Sequence, residues 1–242
     1  MSLLIVIIFT LTLYFLVRPL SKGTSSSNGY NRGSGKRINH GHRCFTEGLD
    51  WAEKEVVRNL SHGLSHADYF IFNNLIIPSD QSVSTQIDHI IVSRYGVFVI
   101  ETKECNGWIY AHKNRAQWTT TYKKGNKFPL PSPLWQNFGH IQALKKVMPF
   151  VEDNFFNLIV FVGDCEFKTQ RIEEVLYSHE LVKKITSYHK PVISEQRLLM
   201  TIGKLSYMCQ AIDITPQEHV ENIKNVLSAK TNNLQPTEVV RV

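Results

Sequence analysis

The stretch His89–Cys105, HIIVSRYGVFVIETKEC, constrains this chain more than any other. Two apolar, β-branched runs flank a short turn signal, SRYG, so the segment reads as a hairpin of strands at about Thr85–Val92 and Val97–Lys103. Such a hairpin belongs at the centre of a sheet, yet it carries Asp88, Glu101 and Lys103. The turn centres near Arg94 and Tyr95. Counting outward equally puts Asp88 opposite Glu101, within about one residue of register, where cross-strand Cβ atoms lie about 5 Å apart. Glu101 and Lys103, two residues apart on one strand, face the same side.

Charges held among Ile87, Ile90, Ile91, Val97, Val99 and Ile100 cost several kcal/mol per ion unless they pair or bind something. Two arrangements answer that cost. One is a buried salt bridge of Lys103 with Glu101 or Asp88. The other is a divalent cation: hard carboxylate oxygens suit Mg²⁺ or Mn²⁺, which take one or two carboxylates together with phosphate oxygens. Beside such a cation, Lys103 would hold the attacking water or stabilise developing phosphate charge. Glu53, on a preceding amphipathic helix read over Thr46–Leu60, is a candidate third carboxylate. Gln136 and His140, four apart, share one face of a helix read from about Leu134 to Val147.

Around the hairpin, a strand is read over Tyr69–Pro78. GWIYA and AQWTTTYKKGNKF extend the antiparallel sheet, and NLIVFVG forms a strand buried on both faces. Further helices follow at Ser178–Ser187, after Glu195 and after Pro216. This order gives a mixed α/β domain. The 242 residues suffice for one domain with appendages. The formal charge of +6 and pI of about 9.1 suit a polyanionic partner. Cys44, Cys105, Cys165 and Cys209 form no CxxC pair and read as ordinary thiols in a reducing compartment.

The N-terminal run from Leu3 to Val17 is uncharged and is followed by Arg18 and Lys22. It reads as an uncleaved transmembrane anchor over residues 1–20, single-pass in the inner (cytoplasmic) membrane with the remainder in the cytoplasm. Residues 21–37 read as a flexible Gly/Ser linker, 38–230 as the folded domain with its C-terminal helices, and 231–242 as a disordered tail.

The sequence TQIDHIIVSRYGVFVIETKECNGWIY, with PLWQNFGHIQALK downstream, resembles the NERD (nuclease-related) domain family over about Ala52 to Phe161. The resemblance implies a restriction-endonuclease-like fold of the PD-(D/E)xK class: a mixed β-sheet flanked by helices, here with an N-terminal transmembrane helix. It implies metal-dependent hydrolysis of DNA, with RNA also open. By position, Asp88 matches the motif aspartate, and Glu101 with Lys103 match the ExK. Glu53 matches the helix glutamate, with Ala52 where the family has glycine, and Gln136 matches the downstream glutamine. QNFGH is similar to a QxxxY motif of related nucleases, with His140 in place of tyrosine. Asp88, Glu101 and Glu53 would then hold Mg²⁺ or Mn²⁺. Arg94, Lys113, Arg115, Lys123, Lys124 and Lys127 are candidates for phosphate contacts, interleaved with Trp108, Tyr110, Trp118 and Tyr122. The alternative function is a non-catalytic nucleic-acid or protein-binding module on the same fold.

Overall fold

Asp50 starts the first helix. Its carboxylate accepts from the Glu53 N–H, and the Glu53 carboxylate accepts from the Asp50 N–H, both at 2.9 Å. This reciprocal capping box satisfies two donors that a helix start otherwise leaves orphaned, and helix α1, Trp51–Gly63, follows directly. Ala52, Val56 and Leu60 form its buried stripe at four-residue spacing. The structure, a computed structural model, describes residues 49–78, 84–122, 125–151 and 153–211.

The hairpin forms as read. Strand β1 (Phe70–Pro78) pairs antiparallel with β2 (Ser84–Ser93), and β2 with β3 (Gly96–Glu104). The β2–β3 turn needs a glycine: Gly96 has φ +142°, and a Cβ there would lie 2.2 Å from the Phe156 ring. On its other edge β3 pairs in parallel with β7 (Phe155–Val162), and β7 pairs in parallel with the short β9 (Val175–Tyr177). The first sheet therefore runs β1-β2-β3-β7-β9.

The two faces of β3 separate the layers. Val97 and Val99 join the core under helix α2 (Pro133–Val147) and helix α4 (Glu195–Ala211), with Leu144, Ile202 and Leu205. Phe98 and Ile100 join the core under α1 and helix α3 (Leu181–Thr186), with Val56, Leu60 and Leu181. This is the period-two alternation of a strand covered by helices on both sides. Asn137 anchors α2: its amide donates to the carbonyls of Val99 (2.8 Å) and Leu158 (3.2 Å) and to Asn157 Oδ1 (2.8 Å).

The segments expected to extend that sheet form a second one instead. Strands β4 (Gly107–Tyr110), β5 (Gln117–Thr121), β6 (Lys127–Pro131) and β8 (Cys165–Phe167) run in the order β6-β5-β4-β8. The cause lies in two glycines. Gly107 (φ +141°) follows β3, and Gly163 (φ +113°) follows β7. A Cβ would come 2.0 Å from the Thr121 carbonyl oxygen at the first and 2.5 Å from that of Cys105 at the second. The parallel pair β3/β7 leaves the first sheet at these points and resumes as the parallel pair β4/β8, with Gly107 opposite Cys165. The three-residue strands β8 and β9 are too short for a hydrophobic period to reveal them.

Two expectations are corrected. The fold is mixed α/β with helices on a mixed sheet, and no transmembrane helix is among its described elements. Among the described residues no helix is long and apolar enough to cross a membrane. The longest, α4, has 17 residues and includes Glu195, Arg197 and Lys204, against the roughly 20 predominantly apolar residues a span needs. The run read as an anchor lies outside the described residues, and its length stands only at the lower limit for a span. Membrane attachment, single-pass topology and the inner-membrane location are therefore withdrawn. Secondly, Cys209 is disulfide-bonded, while Cys105 and Cys165 are free, so the reading of four ordinary thiols fails at Cys209. The linker, the helix after Pro216 and the disordered tail also lie outside the described residues.

Candidate active site

Asp88 sits where the sheet opens on both sides of β2. The β2–β3 ladder pairs His89 with Ile100 as its last step in this direction. One step further the register brings Asp88 level with Glu101, as counting from the turn implies. There the strands separate, and the Thr102 N–H is met by Asp88 Oδ2 at 2.8 Å rather than by a backbone carbonyl. On the other edge, β1 pairs Asn73 with His89 and Leu75 with Ile87, skipping Asn74. Asn74 has φ 55°, the left-handed region that asparagine tolerates better than most residues. Its side chain accepts a hydrogen bond from the Gln86 amide. The local sequence gave no sign of this irregularity.

Glu101 is 2% exposed and has a partner on each oxygen. Lys103 Nζ lies 2.5 Å from Oε1, and His140 Nε2 lies 3.2 Å from Oε2. His140 Nδ1 is in turn 3.0 Å from Thr85 Oγ1. The first of the two readings of Lys103, a salt bridge with Glu101, is thus present. Glu53 lies on the first turn of α1, within the fields of Glu101 and Lys103.

The charges set one another's protonation. Burial pushes the Asp88 carboxyl well above the usual carboxylate range, and the negative charges of Glu101 and Glu53 push it further. Burial and the neighbouring Asp50 push Glu53 up to about 7. Burial acts the same way on Glu101, but Lys103 and His140 outweigh it and hold that carboxyl down at about 2. Burial alone would lower Lys103; Glu101 and Asp88 reverse this and raise it. At neutral pH the site therefore combines an ionised Glu101, a charged Lys103, and two further carboxyl groups that resist ionising beside it.

Gln136 occupies the first turn of α2, half-buried, with its backbone N–H donating to the Ser132 carbonyl. Among the described residues its side chain has no hydrogen bond to the four charged groups; His140, one turn on, reaches Glu101 instead. The four basic candidates among the described residues do not converge. Arg94 is at the tip of the β2–β3 hairpin, where its carbonyl accepts from Val192 and Ile193. Six residues of strand, about 20 Å, separate it from Asp88. Lys113 pairs with Glu174 at 2.5 Å, Arg115 is exposed between β4 and β5, and Lys127 is exposed at the start of β6. Lys123 and Lys124 lie outside the described residues. Of the aromatics, Trp118 is core, 1% exposed, with its indole N–H donating to the His112 carbonyl. The ammonium of Lys168 lies over the Trp108 ring, 4.9 Å from its centre.

Of the two buried histidines here, sequence reasoning singled out His140 and left out His89. His140 carried a signal in its four-residue spacing from Gln136. His89, next to Asp88, is fully buried, with Nδ1 2.8 Å from Asn73 Oδ1 and a ring driven down to about 3 by burial; nothing local marks it.

The donor set fits a hard divalent cation by its chemistry. Carboxyl groups that hold protons because of burial and neighbouring negative charge exchange those protons for a cation readily. Among the described residues, however, no group of three or more His, Cys, Asp or Glu side chains is gathered closely enough to hold a metal ion by itself.

Comparison with known proteins places this centre in context. A family model described as a nuclease-related domain (NERD) matches residues 49–162, from just before α1 to the end of β7. An uncharacterized protein of Bacillus anthracis is 29% identical over 184 residues, which is 72% of this chain and 83% of that protein. No solved structure matches the chain.

Proposed function

We propose that the nuclease-related domain formed by residues 49–162 acts on nucleic acid, and that its Asp88–Glu101–Lys103 centre hydrolyses phosphodiester bonds with the help of Mg²⁺ or Mn²⁺. The observation that carries this reading is the convergence of Asp88, Glu101, Lys103 and Glu53 where the β2–β3 ladder opens.

Asp88 and Glu101, with Glu53, would hold the cation. When bound, it supplies Lewis-acid polarisation of the phosphate and a more acidic water. Lys103, charged and fixed by Glu101, orients the attacking water or stabilises charge growing on the phosphate. Thr102 holds one oxygen of Asp88 and leaves Oδ1 for a ligand. Gln136, at the start of α2, is proposed to contact substrate. Of the basic candidates, Lys113 and Arg115 remain proposals as phosphate contacts on the flank formed by the second sheet.

A second reading has its own support. Both oxygens of Glu101 already have protein partners, and the described residues hold no three-ligand cluster. These features favour a non-catalytic nucleic-acid-binding module on the nuclease-like fold. One assay separates the two. Plasmid, linear and single-stranded DNA, and RNA, are incubated with the full chain in Mg²⁺, Mn²⁺ or EDTA, beside Lys103→Ala. Metal-dependent cutting absent from the variant supports hydrolysis. Salt-sensitive binding without turnover by either protein supports the binding module.

A further inference from the structure

We infer that His140 is a positioning residue for Glu101, its ring held at Nδ1 by Thr85 so that its Nε2–H aims the carboxylate. The argument starts from Glu101. Its Oε1 receives the Lys103 ammonium at 2.5 Å, so the group is a carboxylate and can only accept. Its Oε2 faces His140 Nε2 at 3.2 Å. A neutral imidazole carries one N–H and one lone pair, and facing an acceptor, Nε2 must carry the hydrogen. Nδ1 is then a lone pair and needs a donor. The group facing it at 3.0 Å is the Thr85 hydroxyl, which can donate. For the neutral ring every hydrogen in the chain Thr85–His140–Glu101 is thereby assigned; an imidazolium would keep the same Nε2–H to Glu101 and donate from Nδ1 to the Thr85 hydroxyl.

The three residues come from β2, α2 and β3, separated by 55 and 39 positions. His140 is 7% exposed, so water does not readily replace either partner. The consequence for the site is orientation. Lys103 is a flexible ammonium and fixes one oxygen by charge. A buried imidazole held at both nitrogens fixes the plane. Without it, the Glu101 carboxylate could rotate about its last torsion toward Lys103. The same logic governs metal-binding histidines, where loss of an outer hydrogen-bond partner costs about 10- to 100-fold in metal affinity or activity.

The consequence for metal binding rests on the proposed reading of the site; the tautomer does not. The test uses the full chain with ¹⁵N-labelled histidine. Long-range ¹H–¹⁵N spectra in EDTA report the His140 tautomer, and Mn²⁺ titration followed by electron paramagnetic resonance reports cation affinity. The expected results, at a pH where the ring is neutral, are an Nε2–H ring in the wild type, a displaced Nδ1 resonance in Thr85→Val from loss of its donor, and restoration in Thr85→Ser. Mn²⁺ affinity falls about 10- to 100-fold in Thr85→Val and His140→Ala. An Nδ1–H ring in the wild type, or an Nδ1 resonance unmoved in Thr85→Val, overturns the inference. So does Mn²⁺ binding by His140→Ala as tight as that of the wild type. A wild type that binds no Mn²⁺ but is Nε2–H with an Nδ1 resonance that responds to Thr85 supports the positioning of Glu101 and removes the metal-dependent reading instead.

Discussion

Replacing Glu53 by Gln should stabilise the protein at alkaline pH, although Glu53 is a proposed functional residue. The substitution isolates charge. A glutamine at the same position can still accept from the Asp50 N–H, so the capping box of α1 survives. The sign follows from proton linkage. Below pH 4.5 the carboxyl is protonated in both the folded and the unfolded chain, and the two proteins should be equally stable. Between 4.5 and about 7 the unfolded chain ionises while the folded one keeps its proton, so the wild type loses stability as pH rises. Above about 7 the full penalty is reached. A displacement from 4.5 to about 7 corresponds to about 3 kcal/mol, and to about 2 kcal/mol once screening at the partly exposed side chain is allowed for. Urea unfolding in EDTA from pH 4 to 9 measures it through the midpoint at constant slope. The two curves should meet near pH 4 and diverge to a plateau above pH 7, with Glu53→Gln the more stable. Parallel curves, or a more stable wild type at pH 8, would refute the claim that repulsion and burial set the protonation of this site.

Other outcomes follow from the same geometry. Asp88→Asn keeps an oxygen for the Thr102 N–H, so it should fold with stability within about 1 kcal/mol of wild type yet lose Mn²⁺ binding in a calorimetric titration. Cation binding to the wild type should release protons below pH 7, because Glu53 and Asp88 must give theirs up; the heat of Mn²⁺ binding at pH 6 should then change with the ionisation enthalpy of the buffer. Asn137→Ala removes the amide that three acceptors share and should lower the unfolding free energy by about 2–4 kcal/mol. Gly96→Ala, with φ +142° and the Phe156 ring in the way, should cost about 2 kcal/mol or more in the same measurement.

Much of this protein is legible in neighbouring residues. The alternation of Val97, Phe98, Val99 and Ile100, the SRYG turn and the capping box from Asp50 to Glu53 are local signals, and each element they mark is present. The alignment of Asp88 with Glu101 follows as well, because a tight turn fixes the register of the strands it joins. What the sequence alone could not decide depends on contacts between distant segments. The second sheet exists because Gly107 and Gly163, 56 positions apart, divert adjacent strands at the same level. Arg94 is close to Asp88 in sequence and far from it in space, since a strand spends about 3.3 Å on every residue. His140 reaches Glu101 only because Asn137, one turn earlier, ties α2 to the carbonyls of β3 and β7. Short-range propensity chose the elements and put the charges on them; packing across the sheet chose which charges meet, and so which of them pair and which hold their protons.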